Sequence, residues 1–306
     1  MRMKKLTEGR KMFVTVMATF AVYAATFILF DDFDRQRFQL LDEASDWHLL
    51  VFSLVVMGIL AVVLHHYTRR MDERISREQA EQQAATRRQL TQNIAHELKT
   101  PVASIQGYLE TLLAHPDISN EQRRQFLDRS LAQTTRLAAL LRDITTLQRM
   151  DDAPDVHAFE ALDVAAIVAN VMKETALQLT TRHMTFANRL PATVPLQGNP
   201  TLLYGVFRNL TDNAIAYAGE GTTITLTATE TLHHWHFTFR DNGVGIAPEH
   251  LPRLFERFYR VDKGRSRKLG GTGLGLAIVK NTVLLHGGTI TVSADHGLRF
   301  DFSLHK

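Results

Sequence analysis

Two long uncharged runs limit what this chain can become more than any other feature of its sequence. Met12 to Phe30 carries no charged residue, and the titratable groups of Trp47 to Tyr67 are His48, His65, His66 and Tyr67. Each run is long enough to cross a hydrocarbon core of about 30 Å as a helix. The sequence therefore predicts transmembrane helices at 12–30 and 47–67. The first run also exceeds the apolar stretch of a cleaved leader, which argues for its retention. Arg2, Lys4, Lys5, Arg10 and Lys11 precede the first run, and Arg69, Arg70, Arg74 and Arg77 follow the second. Both flanks are expected on the cytoplasmic side, which gives a multi-pass protein of the cell (inner, cytoplasmic) membrane with a cytoplasmic N-terminus at 1–11. The segment 31–46 is left as an acidic external loop, too short to fold as a sensor domain. A stimulus then acts on this loop, on the spans, or through a partner protein.

The 306 residues leave room for about two further domains. Thirty-five Lys and Arg against 32 Asp and Glu give a net charge of only +3, so nucleic acid is not an expected partner, whereas the two spans make membrane lipid one. The absence of cysteine removes disulfides, thiolate catalysis and thiolate zinc sites together.

Residues 68–88, rich in charge, Gln and Ala and free of Gly and Pro, read as a continuous helical stalk leaving the membrane. In 89–150, Leu90, Ile94, Leu98, Val102, Ile105, Leu109 and Leu112 recur at spacings of three and four, which predicts a helix with one apolar stripe. Pro116 ends it, and Ser119 with Gln122 forms a capping box for a second helix. That helix carries Phe126, Leu127, Leu131, Leu137, Leu140, Leu141, Ile144 and Leu147, a stripe too broad for one facing helix. A homodimer closing a four-helix bundle would bury it. His96 lies about 160 to 200 degrees around the axis from Ile94 and Leu98, so it faces away from the apolar seam. Thr100 shares its outward face, and Glu97 is placed to hold the proton on one imidazole nitrogen while the other attacks.

The run NIAHELKTPVASIQGYLETLL resembles the phosphoacceptor box of bacterial two-component sensor histidine kinases. The resemblance implies that His96 is the autophosphorylation site, that Glu97 assists it, and that Thr100 positions water when the enzyme dephosphorylates its regulator. It also implies that Pro101 bends the helix.

A second domain is expected over 155–306, where strands at His183 to Leu190, Thr222 to Thr229, His234 to Arg240, Thr289 to Ala294 and Leu298 to Leu304 alternate with helices near 163–180, 200–217 and 273–286. The pattern suggests a mixed sheet with helices on one face. Asn209 and Asn213 share a helix face and offer amide oxygens to a magnesium ion that triphosphate already coordinates. Asp241 follows a strand and can accept from an adenine amino group, with Gly243 and Gly245 allowing close approach; the same run could equally be a turn. Gly270, Gly271, Thr272, Gly273, Leu274 and Gly275 open a helix, offering backbone amides to phosphates. The basic segment 261–271 suits a mobile lid. His234 with His236, and His65 with His66, could suggest a metal sensor, but solvated or headgroup-level histidines are the plainer reading.

Taken in order, NLTDNA, DNGVGI, LFERFYRVD and GGTGLGLAIV resemble the boxes of the GHKL-type ATPase domain as histidine kinases carry it. By that resemblance Asn213 binds Mg2+, Asn209 supports it and Asp241 reads the adenine of ATP. Gly243, Gly245, Gly273 and Gly275 shape the pocket, and Phe255 and Phe258 pack at the lid. Arg260 and Lys263 are further phosphate contacts. Ala216 departs from the family, which commonly has a basic residue there, so that contact falls to Tyr217 or to the lid. The implied architecture is multidomain: two transmembrane helices, a helical hairpin dimerising to a four-helix bundle, and an α/β sandwich of the GHKL fold. The implied activity is autophosphorylation from Mg-ATP, transfer to the receiver domain of a response regulator, and phosphatase action on that regulator.

Overall fold

Local sequence accounts for where each element begins. The computed structural model of the protein describes residues 44–152, 159–261, 271–294 and 296–306. The expected N-terminus at 1–11, the first span, almost all of the loop at 31–46, Lys263 and residues 262–270 of the basic segment lie outside the described residues. Helix α1 (Ala44–Ala114) continues through Pro101. Helix α2 (Asn120–Asp152) starts where Ser119 Oγ accepts from Gln122 N at 3.2 Å. The capping box is incomplete in form, because the Gln122 side chain accepts from the Ser119 hydroxyl at 3.3 Å instead of reaching back to the backbone. Tyr108 and Phe126 meet at 5.8 Å between ring centroids and pair the two helices.

The chain divides into two units, Met1–Ala84 and Ala85–Lys306. In the first, Val55, Met57, Ile59, Val62 and Val63 are all exposed on α1. Among the described residues no helix is long and apolar enough to cross a membrane.

In the second unit, strand β1 (Glu160–Asp163) leads into α3 (Val164–Thr181). Asp163 caps α3 by accepting from Ala165 N at 2.9 Å and also accepts from Val194 N at 2.8 Å, which ties the cap to the strand that follows β2 (Thr185–Arg189). That strand, β3 (Pro195–Gly198), pairs antiparallel with β1. Helix α4 (Pro200–Tyr217) has Asn199 as its N-cap, bonded to Leu202 N at 2.9 Å, and proline in its first turn, where no donor is lost. Strands β4 (Thr223–Glu230) and β5 (His234–Asp241), helix α5 (Gly275–Leu285), and strands β6 (Ile290–Ala294) and β7 (Leu298–His305) complete the domain.

The large sheet has the order β2-β4-β5-β7-β6, with β2 and β4 parallel and the other neighbours antiparallel. The expected mixed sheet is therefore present, and the small β1-β3 sheet, for which four-residue strands give no periodicity, is an addition. Alternation along β5 sends Trp235, Phe237, Phe239 and Asp241 inward. Phe237 stacks on Phe302 at 5.1 Å and meets Phe207 of α4 edge-on at 5.8 Å. With Val168, Val206, Leu210 and Val279 these rings form the core between the sheet and its helices. A second, smaller cluster joins Leu140, Ile144, Leu147 and Met150 of α2 to Leu202, Leu274 and Ile278 of the α/β domain.

Candidate functional site

Helix α4 presents Asn209, Asn213 and Tyr217 at successive i+4 positions, half-buried beside a fully packed face. Asn209 Nδ2 donates to Gly205 O at 2.8 Å, which fixes the amide and turns its oxygen toward α5. A Cβ on Gly275 would lie 2.6 Å from that oxygen. The helix carrying the two asparagines and the helix opened by the glycine run thus meet through this pair.

Asp241 ends β5 and is buried. Its Oδ1 accepts from Gly243 N at 2.9 Å and from Leu298 N at 3.2 Å, so the orientation of the carboxylate is set from the loop that follows β5 and from the start of β7. Burial pushes the Asp241 carboxyl above its ordinary range, against the downward pull of those two amides and Arg240. The loop after it wraps the end of α4, where Val244 N donates to Ala218 O at 3.2 Å. Gly243 is obligatory there, since a Cβ would sit 2.2 Å from Ala218 O.

The glycine run lies against the hairpin. Thr272 Oγ donates to Asp143 Oδ2 at 2.8 Å and accepts from Leu274 N at 3.2 Å. The Leu274 side chain is fully buried in the cluster with Leu140, Ile144 and Leu147. Burial raises the Asp143 carboxyl above its usual range, partly offset by the Thr272 bond and Arg142. Gly273 O accepts from Phe258 N at 2.8 Å, and Phe258 itself has a left-handed backbone, φ 64, rare for a bulky residue. Phe258 packs on the hairpin cluster, whereas Phe255 joins the domain core and meets Phe300 edge-on.

On the hairpin, His96 is exposed and Thr100, also exposed, donates its hydroxyl to His96 O at 3.3 Å. Glu97 is drawn away from solvent. Its Oε2 accepts from Arg260 at 3.0 Å and lies 3.5 Å from Arg136. Of the expected site residues, the structure thus brings Glu97, Arg260, Thr272 and Gly273 into one contact zone, and Asn209 against Gly275. Among the described residues no group of three His, Cys, Asp or Glu could hold a metal ion.

Three residues that shape the site were missing from the sequence reading. Arg136 and Asp143 stand seven apart on α2, in register with Leu140 and Leu147, and charges inside an apolar stripe were the available signal. Gly297 adopts φ 119 with Asp241 O 2.0 Å from its missing Cβ, but a glycine before a strand says nothing about which residue it will underlie.

Residues 86–153 match the His Kinase A (phospho-acceptor) domain, and residues 198–306 match the histidine kinase-, DNA gyrase B- and HSP90-like ATPase family. The sensor-like histidine kinase SenX3 of Mycolicibacterium smegmatis is 36% identical over 220 residues, 72% of this chain and 57% of SenX3. The chain spans about half the length of the curated relatives it matches. Among solved structures, the Acinetobacter baumannii histidine kinase AdeS is 25% identical and covers 69% of this chain and 97% of its own with a TM-score of 0.57. Histidine kinase ThkA, crystallised with the response regulator protein TrrA, shares the fold at 20% identity and a TM-score of 0.59, over 71% of this chain and 61% of its own.

Proposed function

The chain belongs to the two-component sensor histidine kinases, and on that premise we propose that it transfers the γ-phosphoryl group of ATP to its own His96, and from there to an aspartate of a response regulator. The observation that carries this reading is the Glu97–Arg260 ion pair, which joins the residue next to His96 to the nucleotide-binding domain within one packed unit.

The residues present fit Mg-ATP. Asp241 uses Oδ1 for the backbone amides, which leaves Oδ2 to accept from an adenine amino group. Gly243 and Gly245 keep side chains out of the base site, and the first turn of α5 offers amides to phosphates. Asn213, one turn from Asn209 on the same face of α4, would supply an amide oxygen to a magnesium ion that triphosphate already holds. When bound, that ion neutralises charge on the transferring phosphoryl group. His96, exposed and outward-facing, attacks as neutral imidazole, and the carboxylate of Glu97 stabilises the charge that develops on the ring. Thr100 lies one turn on and supplies a hydroxyl that positions water for the separate phosphatase reaction, in which that water hydrolyses the phosphoryl group from the regulator and releases inorganic phosphate.

A homodimer is supported by Leu113, Leu127 and Leu131, large apolar side chains exposed on the hairpin that a second copy would cover in a four-helix bundle. A membrane location is supported by the apolar run at 47–67 and by Val55, Met57, Ile59, Val62 and Val63, exposed around α1 where lipid would bury them. The arginines of the stalk support a cytoplasmic position for the catalytic domains.

With magnesium and γ-labelled ATP, the chain should acquire label that is stable to alkali and labile to acid. Hydrolysis of ATP with no such label would replace the kinase reading with that of a mechanical ATPase.

A further inference from the structure

Arg260 is bound in a way that leaves much of its capacity unused. Its side chain is 6% exposed, and one Nη meets a single oxygen of Glu97 at 3.0 Å. Its Nε, buried as well, has no hydrogen-bond partner among the described residues. A guanidinium offers five donors in a rigid fork suited to two parallel bonds with a carboxylate or phosphate. An end-on contact with a buried donor unmet is therefore a poor use of the group, and a doubly bonded alternative would be favoured. The unmet Nε sits beside the glycine run, 3.2 Å from where a Cβ on Gly273 would stand.

The two partners differ in what they would lose on separation. Glu97 has a second cation, Arg136, at 3.5 Å, so its charge stays compensated when Arg260 leaves. The segment carrying Arg260 is held under strain, with Phe258 at φ 64 only two residues away and packed on the hairpin cluster. A second tether, Thr272 to Asp143 at 2.8 Å, fastens the glycine run to the same helix pair.

Resting on the kinase reading above, we propose that Arg260 is a shared ligand for which Glu97 of the hairpin and the γ-phosphate of ATP compete. In the docked arrangement Glu97 and Arg260 occupy each other, so the acceptor helix is held without its carboxylate turned to His96. Engagement of Arg260 by a γ-phosphate frees Glu97 to Arg136 and the imidazole, and loosens the contact through Asp143 and Thr272. Nucleotides that end at the β-phosphate leave the pair closed. Because such coupling is reciprocal, removing the charge of Glu97 must strengthen binding of the triphosphate and leave the diphosphate unchanged.

The test is a binding titration on the full chain in detergent, with the magnesium complexes of ADP and of the β,γ-imido analogue of ATP, so that no turnover is required. Glu97→Gln should tighten the analogue about fivefold or more and leave ADP unaltered. In the Glu97→Gln, Arg260→Gln double variant that gain should vanish. An unchanged ratio of analogue to ADP affinity in Glu97→Gln, or a gain that survives in the double variant, would overturn the competition while leaving the kinase reading intact. A wild type that binds neither nucleotide would overturn both. The chain has no cysteine, so Asp143→Cys with Thr272→Cys gives an independent report of docking. Its disulfide should form more slowly with the analogue than with ADP, and equal rates would count against the proposal.

Discussion

The hairpin and the α/β domain bury their apolar residues in different ways. In the α/β domain Val164, Leu203, Leu210, Phe237 and Leu304 are sealed among residues of that same domain. In the hairpin, Leu140, Ile144 and Leu147 are buried, but Leu274 and Ile278 of the α/β domain help to cover them, and Leu113, Leu127 and Leu131 remain exposed. The contrast separates a module whose stability is its own from one whose stability depends on what docks against it. A signal arriving along α1 would therefore act most readily on the hairpin contacts, which are few and partly polar, and least on the sheet and its helices.

Breaking the stable side should have the largest effect. Phe237→Ala removes a ring packed against Phe207 and Phe302 and should destabilise the α/β domain by about 3–5 kcal/mol in urea unfolding. On the conditional side, Leu131→Arg puts charge on the uncovered stripe. It should weaken dimerisation on the order of a hundredfold by sedimentation, about 2.7 kcal/mol, with the unfolding midpoint of the α/β domain unmoved. A common shift in both measurements would erase the distinction.

Asp241 gives an effect of intermediate size through pH. Its carboxyl is raised by burial, so its contribution to folding is complete below the unfolded value and is lost as pH rises through the folded one. Adenine recognition runs the other way, because it needs the ionised acceptor. Nucleotide affinity should thus fall on acidification at a pH above the ordinary carboxylate range, and Asp241→Asn should remove that dependence along with most of the affinity. Asp143 should give the smallest effect. It is raised for the same first reason, so the docked contact loses stability as pH rises from the ordinary value through the raised one. Asp143→Asn keeps an acceptor for Thr272 and should flatten this dependence, raising stability near neutrality by about 0.5–1 kcal/mol in thermal unfolding.

These partial dependences also mark what the sequence could disclose. Period-two runs located β4, β5, β6 and β7 within a residue or two, because each strand has one face packed on helices and the burial rule acts residue by residue. Strands β1 and β3 escaped, since Glu160–Asp163 and Pro195–Gly198 are too short for alternation and their pairing depends on Asp163 bridging two distant amides. The glycine and asparagine runs disclosed nucleotide chemistry, yet not that Thr272 would bond to Asp143 or that Leu274 would turn into the hairpin. A contact between domains leaves only a charge within a stripe as its trace, as at Arg136 and Asp143, and that trace names no partner. Glu97 shows the same limit. Its position beside His96 suggested an orienting base, and the ion pair with Arg260 could be found only in three dimensions.

The most direct test of the account labels the full chain with γ-labelled ATP and magnesium and compares His96→Gln with Asn213→Ala, following bound nucleotide and protein-bound phosphate separately. His96 is exposed and lies outside residues 198–306, which match the ATPase family, so His96→Gln should bind ATP as the wild type does and acquire no acid-labile label, whereas Asn213→Ala should lose magnesium-dependent binding and label together. Label persisting on His96→Gln would contradict the assignment of the acceptor and, with it, the proposed mechanism.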